Sequence, residues 1–399
     1  QTGRLLPGPP PRLLEVSLRP APMLRAVVAL AAVAAAQAAS APKKVIFIQD
    51  ACLDDFLSIA VLARAHKAGE INWIGDIVVN ADSTLPYSME LAYKFHHALE
   101  IEDIPVLLSQ ARIFNAFPWL YRGDTRATYE LEPMKKIQTG RPEAKRLSDY
   151  KAPYAESWLE QTLEDAADGE ITLLNVATMT IFEAMFKAKP HLAKKVKEMV
   201  WMAGAINVPG NTHYGLGHGY AGMNHYAEWN VVGDAEAANW TLENTAFPIY
   251  LVPLDICDKA PVNNSDGHGM FMDTLLGYNP ADCMYPEITE ALQIAYKTIA
   301  APAPFYRLWD SSAAAYVVRH DFFLDEGTTK LACITDFSME GWLAQPKDQT
   351  KTGPQKYRDI HAFYNYTNTS ALQEWIASAA CIPKPVPPTA GHYLRRRVP

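Results

Sequence analysis

Short apolar runs alternate with helically spaced segments over most of the chain. Val45–Ile48 is an apolar run bounded by charge and predicts a buried strand. Phe56–Leu62 is apolar again and continues through ARAHKA with helical spacing, so a helix follows directly. INWIGDIVVN (71–80) predicts the second strand, residues 86–98 a helix, and EDIPVLL (102–108) a third, short strand. Residues 126–150 are polar and mixed in charge and predict a surface helix and loop. AESWLEQTLEDAAD then places Trp158, Leu159, Leu163 and Ala166 on one helical face. Strands are predicted at 171–177, 198–205, 248–255 and 328–337, and helices at 179–195, over GDAEAANWTLENT (233–245), at 285–300 and at 370–380. This alternation predicts right-handed βαβ crossovers: an α/β fold in a single large domain, with an open, mostly parallel twisted sheet flanked by helices.

Polar residues collect where the predicted strands end. Asp50 closes the first strand, and Asp54 and Asp55 follow on the same strand-to-helix turn. Open α/β sheets bind ligands at that edge. Three carboxylates on one turn repel each other unless a hard cation sits among them; the alternative is a capped, solvated acidic turn. The second strand ends on Asn80 with Asp82 just beyond it, and the sixth ends on Asp255. SQARIFNAFPWLYRGDT (109–125) is a dense aromatic patch, suited to lining a pocket or to local packing. A long Gly-rich segment (206–230) carries His213, His218 and His225 at irregular spacing, without the thiols or HExxH pattern of a zinc site, and its glycines follow no phosphate-binding motif. Trp309 and Asp310 open a late helix, where Asp310 is placed to cap it.

Composition narrows the partners. At 399 residues, 49% hydrophobic and 20% charged, the chain is long enough to bury a large core, and a net charge of −8 argues against a nucleic-acid partner. Residues 1–41 stand apart from the fold. Within them MLRAVVALAAVAAAQA (23–38) has the n-region, apolar stretch and Ala-Gln-Ala site of a secretory signal peptide; it is too short to span a membrane, so secretion is expected and a membrane partner is not. The predicted domain is 43–381, and the Pro-rich basic tail 382–399 is expected to be disordered. Five cysteines are too few for a disulfide framework but allow one or two bridges. Sequons at Asn239, Asn263, Asn365 and Asn368 matter only in a secretory setting.

Taken together, these pieces resemble the calcium-dependent nucleoside hydrolases, the nucleoside N-ribohydrolase family. The family's DxDxxxDD turn is matched by Ile48–Asp55, its Met-Gly-Gly-Ala strand end by MAGA (202–205), and its later segment by Gly210-Asn211, AEWN (227–230) and Gly233-Asp234. Trp309-Asp310 stands where many members have His-Asp and looks like the purine-specific, inosine-adenosine-guanosine branch. The patch Asn115–Arg122 and Asp82 are similar to the same branch, with Tyr121 in place of a Trp. Departures are Ile48 for the family's first Asp, Cys52 for Gly or Asn, Ala203 for Gly, and an altered loop at 177–181.

The resemblance implies hydrolysis of the N-glycosidic bond of purine ribonucleosides to free base and ribose. Asp50, Asp55, Asp310 and the Val176 carbonyl would hold Ca²⁺, with Asp50 also the general base for a calcium-carried water. Asp54, Asn211, Glu228 and Asn230 would hold the ribose hydroxyls with Met202 under the ring, Trp309 and Tyr121 would stack on the base, and Asp82 and Phe117 are further implied substrate-binding residues. A small-molecule ribonucleoside is the implied partner, and a homodimer is compatible with it. Two other readings remain: a secreted nucleoside-binding or catalytically weak paralogue, and a broad-specificity or pyrimidine ribohydrolase. A phosphatase of the haloacid-dehalogenase type would need an Asp at position 48, where Ile stands.

Overall fold

A run of β-strands and helices begins at Lys43. The computed structural model describes residues 41–119, 122–151, 153–212, 224–263, 269–303 and 305–385. Tyr121, His213, His218, the 23–38 segment and most of the C-terminal tail lie outside the described residues.

Strands β1 (Lys43–Gln49), β2 (Ile71–Asn80), β3 (Val106–Arg112), β4 (Ile171–Asn175), β5 (Val196–Met202), β6 (Ile249–Val252), β7 (Thr328–Cys333), β8 (Leu343–Ala344) and β9 (Arg358–Ala362) build a nine-stranded sheet in the order β3-β2-β1-β4-β5-β6-β9-β7-β8. Pairings from β3 across to β9 are parallel; β7 runs antiparallel to β9, and β8 to β7. The main helices are α1 (Leu53–Lys67), α2 (Tyr87–Ala98), α3 (Gly123–Tyr129), α4 (Ala155–Asp165), α5 (Thr180–Ala188), α6 (Ala235–Asn244), α7 (Met270–Gly277), α8 (Pro286–Ala295), α9 (Trp309–Val318) and α10 (Thr369–Ala377).

Alternation along β1 explains the layering. Val45 and Phe47 join a core with α1 and α9, whereas Ile46 and Ile48 join the opposite core with α4, α5 and α6. A strand buried on both faces reads as a continuous apolar run, as Val45–Ile48 does. The strand order reverses between β1 and β4, which opens a crevice at their C-terminal ends. The Val176 N–H donates to the Ile48 carbonyl at 2.8 Å, so the two strands that flank the crevice stay in register to its edge. α9 packs on α1, and its small residues Ser311–Ala315 are all buried.

Several boundaries differ from the sequence pattern. β3 starts at Val106 and runs on to Arg112. The helix expected over 179–195 stops at Ala188, because Pro190 ends the α-helical ladder and opens a 3₁₀ segment, Pro190–Lys195. The one expected at 285–300 is regular to Ala295 and then widens into a π-helical turn, Tyr296–Ala300. Residues 126–150 are not wholly a surface element, since Thr128 and Met134 are buried. β9 is an addition: its five residues alternate polar and apolar too briefly to stand out. Cys283 and Cys381 form a disulfide, and Cys52, Cys257 and Cys333 are free thiols. No helix among the described residues is long and apolar enough to cross a membrane.

Candidate active site

The turn after β1 is held by its own backbone. Ala51 has φ 63°, the left-handed region that costs a β-carbon residue about 1–2 kcal/mol. The Cys52 N–H donates to Asp55 Oδ2 at 2.7 Å and closes the turn on the start of α1. Asp54 and Asp55 therefore occupy the first turn of a helix, where the dipole favours negative charge. The Asp310 N–H, in the first turn of α9, donates to Asp54 Oδ2 at 3.3 Å. Two helix N-termini thus converge on one carboxylate. Asp310 does not cap α9: Leu308 occupies the cap position, and the Asp310 side chain turns into the cluster instead.

Asp54, Asp55 and Asp310 offer ligand atoms within 4.8 Å of one another, and so do Asp50, Cys52 and Asp82. Asp50 links the groups through a side-chain hydrogen bond with Asp55. Asp50, Asp54, Asp55 and Asp310 are all buried. Burial first, then neighbouring carboxylates, raises Asp50, Asp55 and Asp310 well above the usual carboxylate range. Burial also raises Asp54, opposed by its hydrogen bonds to Asp310. Asp50 Oδ2 and Asp55 Oδ1 are buried without a hydrogen-bond partner. Unpartnered carboxylate oxygens repelling one another fit a hard divalent cation, which wants several oxygens and supplies the missing positive charge.

These groups, Asp55 apart, line a cavity of about 400 Å³. Six carboxylates line it (Asp50, Asp54, Asp82, Asp124, Glu228 and Asp310), and no Lys, Arg or His among the described residues does. Val176, Met202, Asn211, Asn230, Phe117 and Trp309 line it as well, so the sequence candidates are brought together; Asp55 joins them through Asp50, Asp54 and Asp310 without lining the cavity, and Tyr121 lies outside the described residues. Asp82 is half-buried at the rim of β2.

A polar side is organised around Glu228. Its carboxylate accepts from the Asn230 N–H at 3.0 Å and the Gly204 N–H at 2.8 Å, while burial pushes its pKa up to about 7. Asn230 Nδ2 donates to the Met202 carbonyl at 3.0 Å, and Asn211 Oδ1 accepts from the Trp229 N–H at 3.3 Å. Gly210 makes this arrangement possible, since a Cβ there would run into the Ala227 carbonyl.

The apolar side is aromatic. Phe117 meets Trp229 edge-on at 4.9 Å between ring centres, and Trp309 meets Tyr306 at 4.9 Å. Trp309 Nε1 is a buried donor with no partner. Phe305, Ile299, Thr298 and Ala303 complete the wall. Sequence reading missed Trp229, Tyr306 and Asp124. Trp229 lies inside the AEWN segment and Tyr306 three residues before Trp309, so both had a local signal. Asp124 had none; burial pushes its carboxyl up to about 7, against hydrogen bonds from Thr125 and the Leu53 N–H.

Comparison with known proteins agrees with this fold. The structure of an inosine-uridine preferring nucleoside hydrolase from Bacillus anthracis superposes with a TM-score of 0.69 at 24% identity, over 85% of this chain and 99% of that one. A plant nucleoside hydrolase gives 0.62 at 19% identity (86% and 100%). A purine-preferring ribonucleoside hydrolase from Gardnerella vaginalis gives 0.60 at 15% (85% and 98%). At these identities the likeness is one of fold. In sequence, 97 residues are 31% identical to the uridine nucleosidase of Saccharomyces cerevisiae, and 103 are 28% identical to an uncharacterised protein of Schizosaccharomyces pombe. These stretches are 24% and 26% of this chain, and the chain spans only 26% and 29% of the lengths of those curated relatives. The profile of the inosine-uridine preferring nucleoside hydrolase family matches residues 45–364, from β1 through β9. A match of that extent makes the chain a member of the inosine-uridine preferring nucleoside hydrolase family.

Proposed function

We propose that the chain hydrolyses the N-glycosidic bond of purine ribonucleosides to free base and ribose, with Ca²⁺ as its cofactor. The observation that carries this reading is the cavity's lining: buried carboxylates, Asp50 with an unpartnered oxygen, together with aromatic rings and the polar Glu228–Asn230 pair in one pocket. Asp50, Asp55 and Asp310, with the Val176 carbonyl, are the proposed cation ligands. Asp54 is hydrogen-bonded to Asp310 and serves both the cation cluster and the ribose. A bound cation would supply the positive charge that keeps these carboxylates ionised and would polarise the attacking water.

Asp50 Oδ2 takes the proton of that water, and burial around Asp50 keeps bulk water from competing. Glu228, Asn230, Asn211 and Asp82 accept from and donate to the sugar, with Met202 beneath it. A site of amides and carboxylates rejects an analogue that lacks those hydroxyls. Trp309, Tyr306 and Phe117 stack on the base, and the Trp309 Nε1–H is a donor for it. The absence of His at 309 leaves stacking and solvent to assist the leaving purine.

A broader specificity has its own support in the sequence likeness to a uridine nucleosidase. Ribose release from inosine, guanosine, adenosine and uridine, with and without chelator and beside Asp50→Ala, tests both. Inosine cleaved well above uridine, and only with cation, is expected. Equal rates favour the broad reading, and bound inosine with no release above the Asp50→Ala control sinks hydrolysis. Secretion is proposed alongside. Its support is the Cys283–Cys381 disulfide, which needs an oxidising compartment, together with the 23–38 pattern. Full-length chain retained in the cytosol of expressing cells would refute it.

A further inference from the structure

We propose that Asp50, Cys52 and Asp82 form a second, softer metal site that binds a thiophilic divalent cation such as Zn²⁺ beside the all-oxygen cluster. The three residues offer two carboxylate oxygens and one sulfur within 4.8 Å of one another, a set separate from Asp54, Asp55 and Asp310. Zinc bonds of 2.0–2.3 Å set the ligand atoms of one tetrahedral ion about 3.3–3.8 Å apart, so side chains already within 4.8 Å need only small rotations to close on it. Beside that spacing, Asp50 is 2% exposed and its Oδ2 has no hydrogen-bond partner; the same carboxylate is a proposed calcium ligand, so the two ions would share it.

The donor set decides which cation is preferred. Calcium takes oxygens and gains little from a thiolate, whereas zinc, cadmium and cobalt gain strongly. Cys52 is the one free thiol lining the cavity among the described residues; Cys257 and Cys333 are buried elsewhere, and Cys283 and Cys381 are joined. All three ligands line the cavity, so the ion has an entry path and a fourth position open to water. Binding is a ligand exchange: the thiol proton goes to solvent, a sulfur–metal bond forms, and nothing is oxidised or reduced.

The consequence for catalysis rests on Asp50 as the base. A soft ion that occupies an Asp50 lone pair removes its proton-accepting capacity, so zinc inhibits even when calcium is saturating.

The test uses the full chain, stripped of metal and resaturated with excess Ca²⁺, then titrated with Co²⁺ or Zn²⁺. One equivalent of Co²⁺ is expected to give a near-ultraviolet thiolate-to-cobalt absorption band. Zinc affinity is read by competition with a chromogenic indicator. Cys52→Ala should abolish the band and weaken zinc by at least about tenfold, and Asp82→Asn should weaken zinc comparably with its free thiols intact. Thermal melts confirm that both variants fold. No band in the wild-type chain, unchanged zinc affinity in Cys52→Ala, or one-for-one displacement of zinc by calcium would each overturn the proposal. Zinc bound at Cys52 without loss of ribose release would leave the site standing and instead remove Asp50 from its role as base. Because the band and the affinity need no substrate, they read the site even in a chain that cleaves no nucleoside.

Discussion

Thr125 donates its hydroxyl to the Ala51 carbonyl at 2.9 Å, so the first turn of α3 grips the acidic turn at its one left-handed residue. Next to it, the Leu53 N–H meets the Asp124 carboxylate, and Arg122 Nε donates to the Phe117 carbonyl at 3.1 Å. The loop that supplies an aromatic wall and the turn that supplies the carboxylates are therefore tied through residues 122–125. Thr125→Val is expected to leave a buried carbonyl unpaired and cost about 1–3 kcal/mol. Its melting temperature and its affinity for Ca²⁺ should fall together, and Thr125→Ser should restore both. Normal calcium affinity in a destabilised Thr125→Val chain would show that the grip does not set the site.

Removal of cation should make stability depend on pH in a characteristic direction. The raised carboxyls of Asp50, Asp55 and Asp310 bind protons more tightly folded than unfolded. Their contribution is fully present below the ordinary value of 3.8 and is lost as pH rises through the folded values. Chelated chain should therefore melt at lower temperature at pH 8 than at pH 5.5. Saturating Ca²⁺ should reverse that slope, because cation binding strengthens as the carboxylates ionise. Melting curves at several pH values, with and without chelator, decide it.

Asp310→Asn separates stability from function. It removes one of several crowded charges, so the cation-free chain should melt higher than wild type at pH 8. The rise in melting temperature on adding Ca²⁺ should shrink, and ribose release should drop by more than about 100-fold. A variant that melts lower without cation would contradict the repulsion inferred for this cluster.

Trp309→Ala addresses the leaving base. Stacking contributes about 1–3 kcal/mol per base, so kcat/KM for inosine should fall by roughly 5- to 150-fold. Tyr306→Phe keeps its ring and should lose far less. The steady-state rates of the two variants on inosine and uridine are the measurement. A Trp309→Ala enzyme with unaltered inosine kinetics would place the base elsewhere.

Much of this site could be read before the fold was known, because its first half is local. Asp50, Asp54 and Asp55 fall within six residues of a strand end, and the apolar run before them marks β1. Asp310 was different: at a helix start it looked like a cap, and only the ordered resemblance gave it a partner. The structure puts Leu308 at the cap and Asp310 one residue inside the helix, which is why its side chain, as well as its N–H, reaches Asp54. Asp124 was invisible, since its closeness to Leu53 is created entirely by the packing of α3. β9 was hidden by brevity, with only Ile360 and Ala362 buried among five residues. The cysteine pairing could not be chosen either, because Cys283 and Cys381 meet only through the folded contact of the chain end with the segment before α8, where the Met284 N–H donates to the Ile382 carbonyl.

The contact between the Asp310 N–H and Asp54 joins residues 256 positions apart. No fragment that stops before α9, and no intermediate in which α9 is undocked, contains the complete cluster. Completion of the Asp54, Asp55 and Asp310 cluster is consequently conditional on assembly of the whole domain. It marks the moment when the first and late parts of the domain have met, and it withholds a chemically competent centre from every partly assembled form.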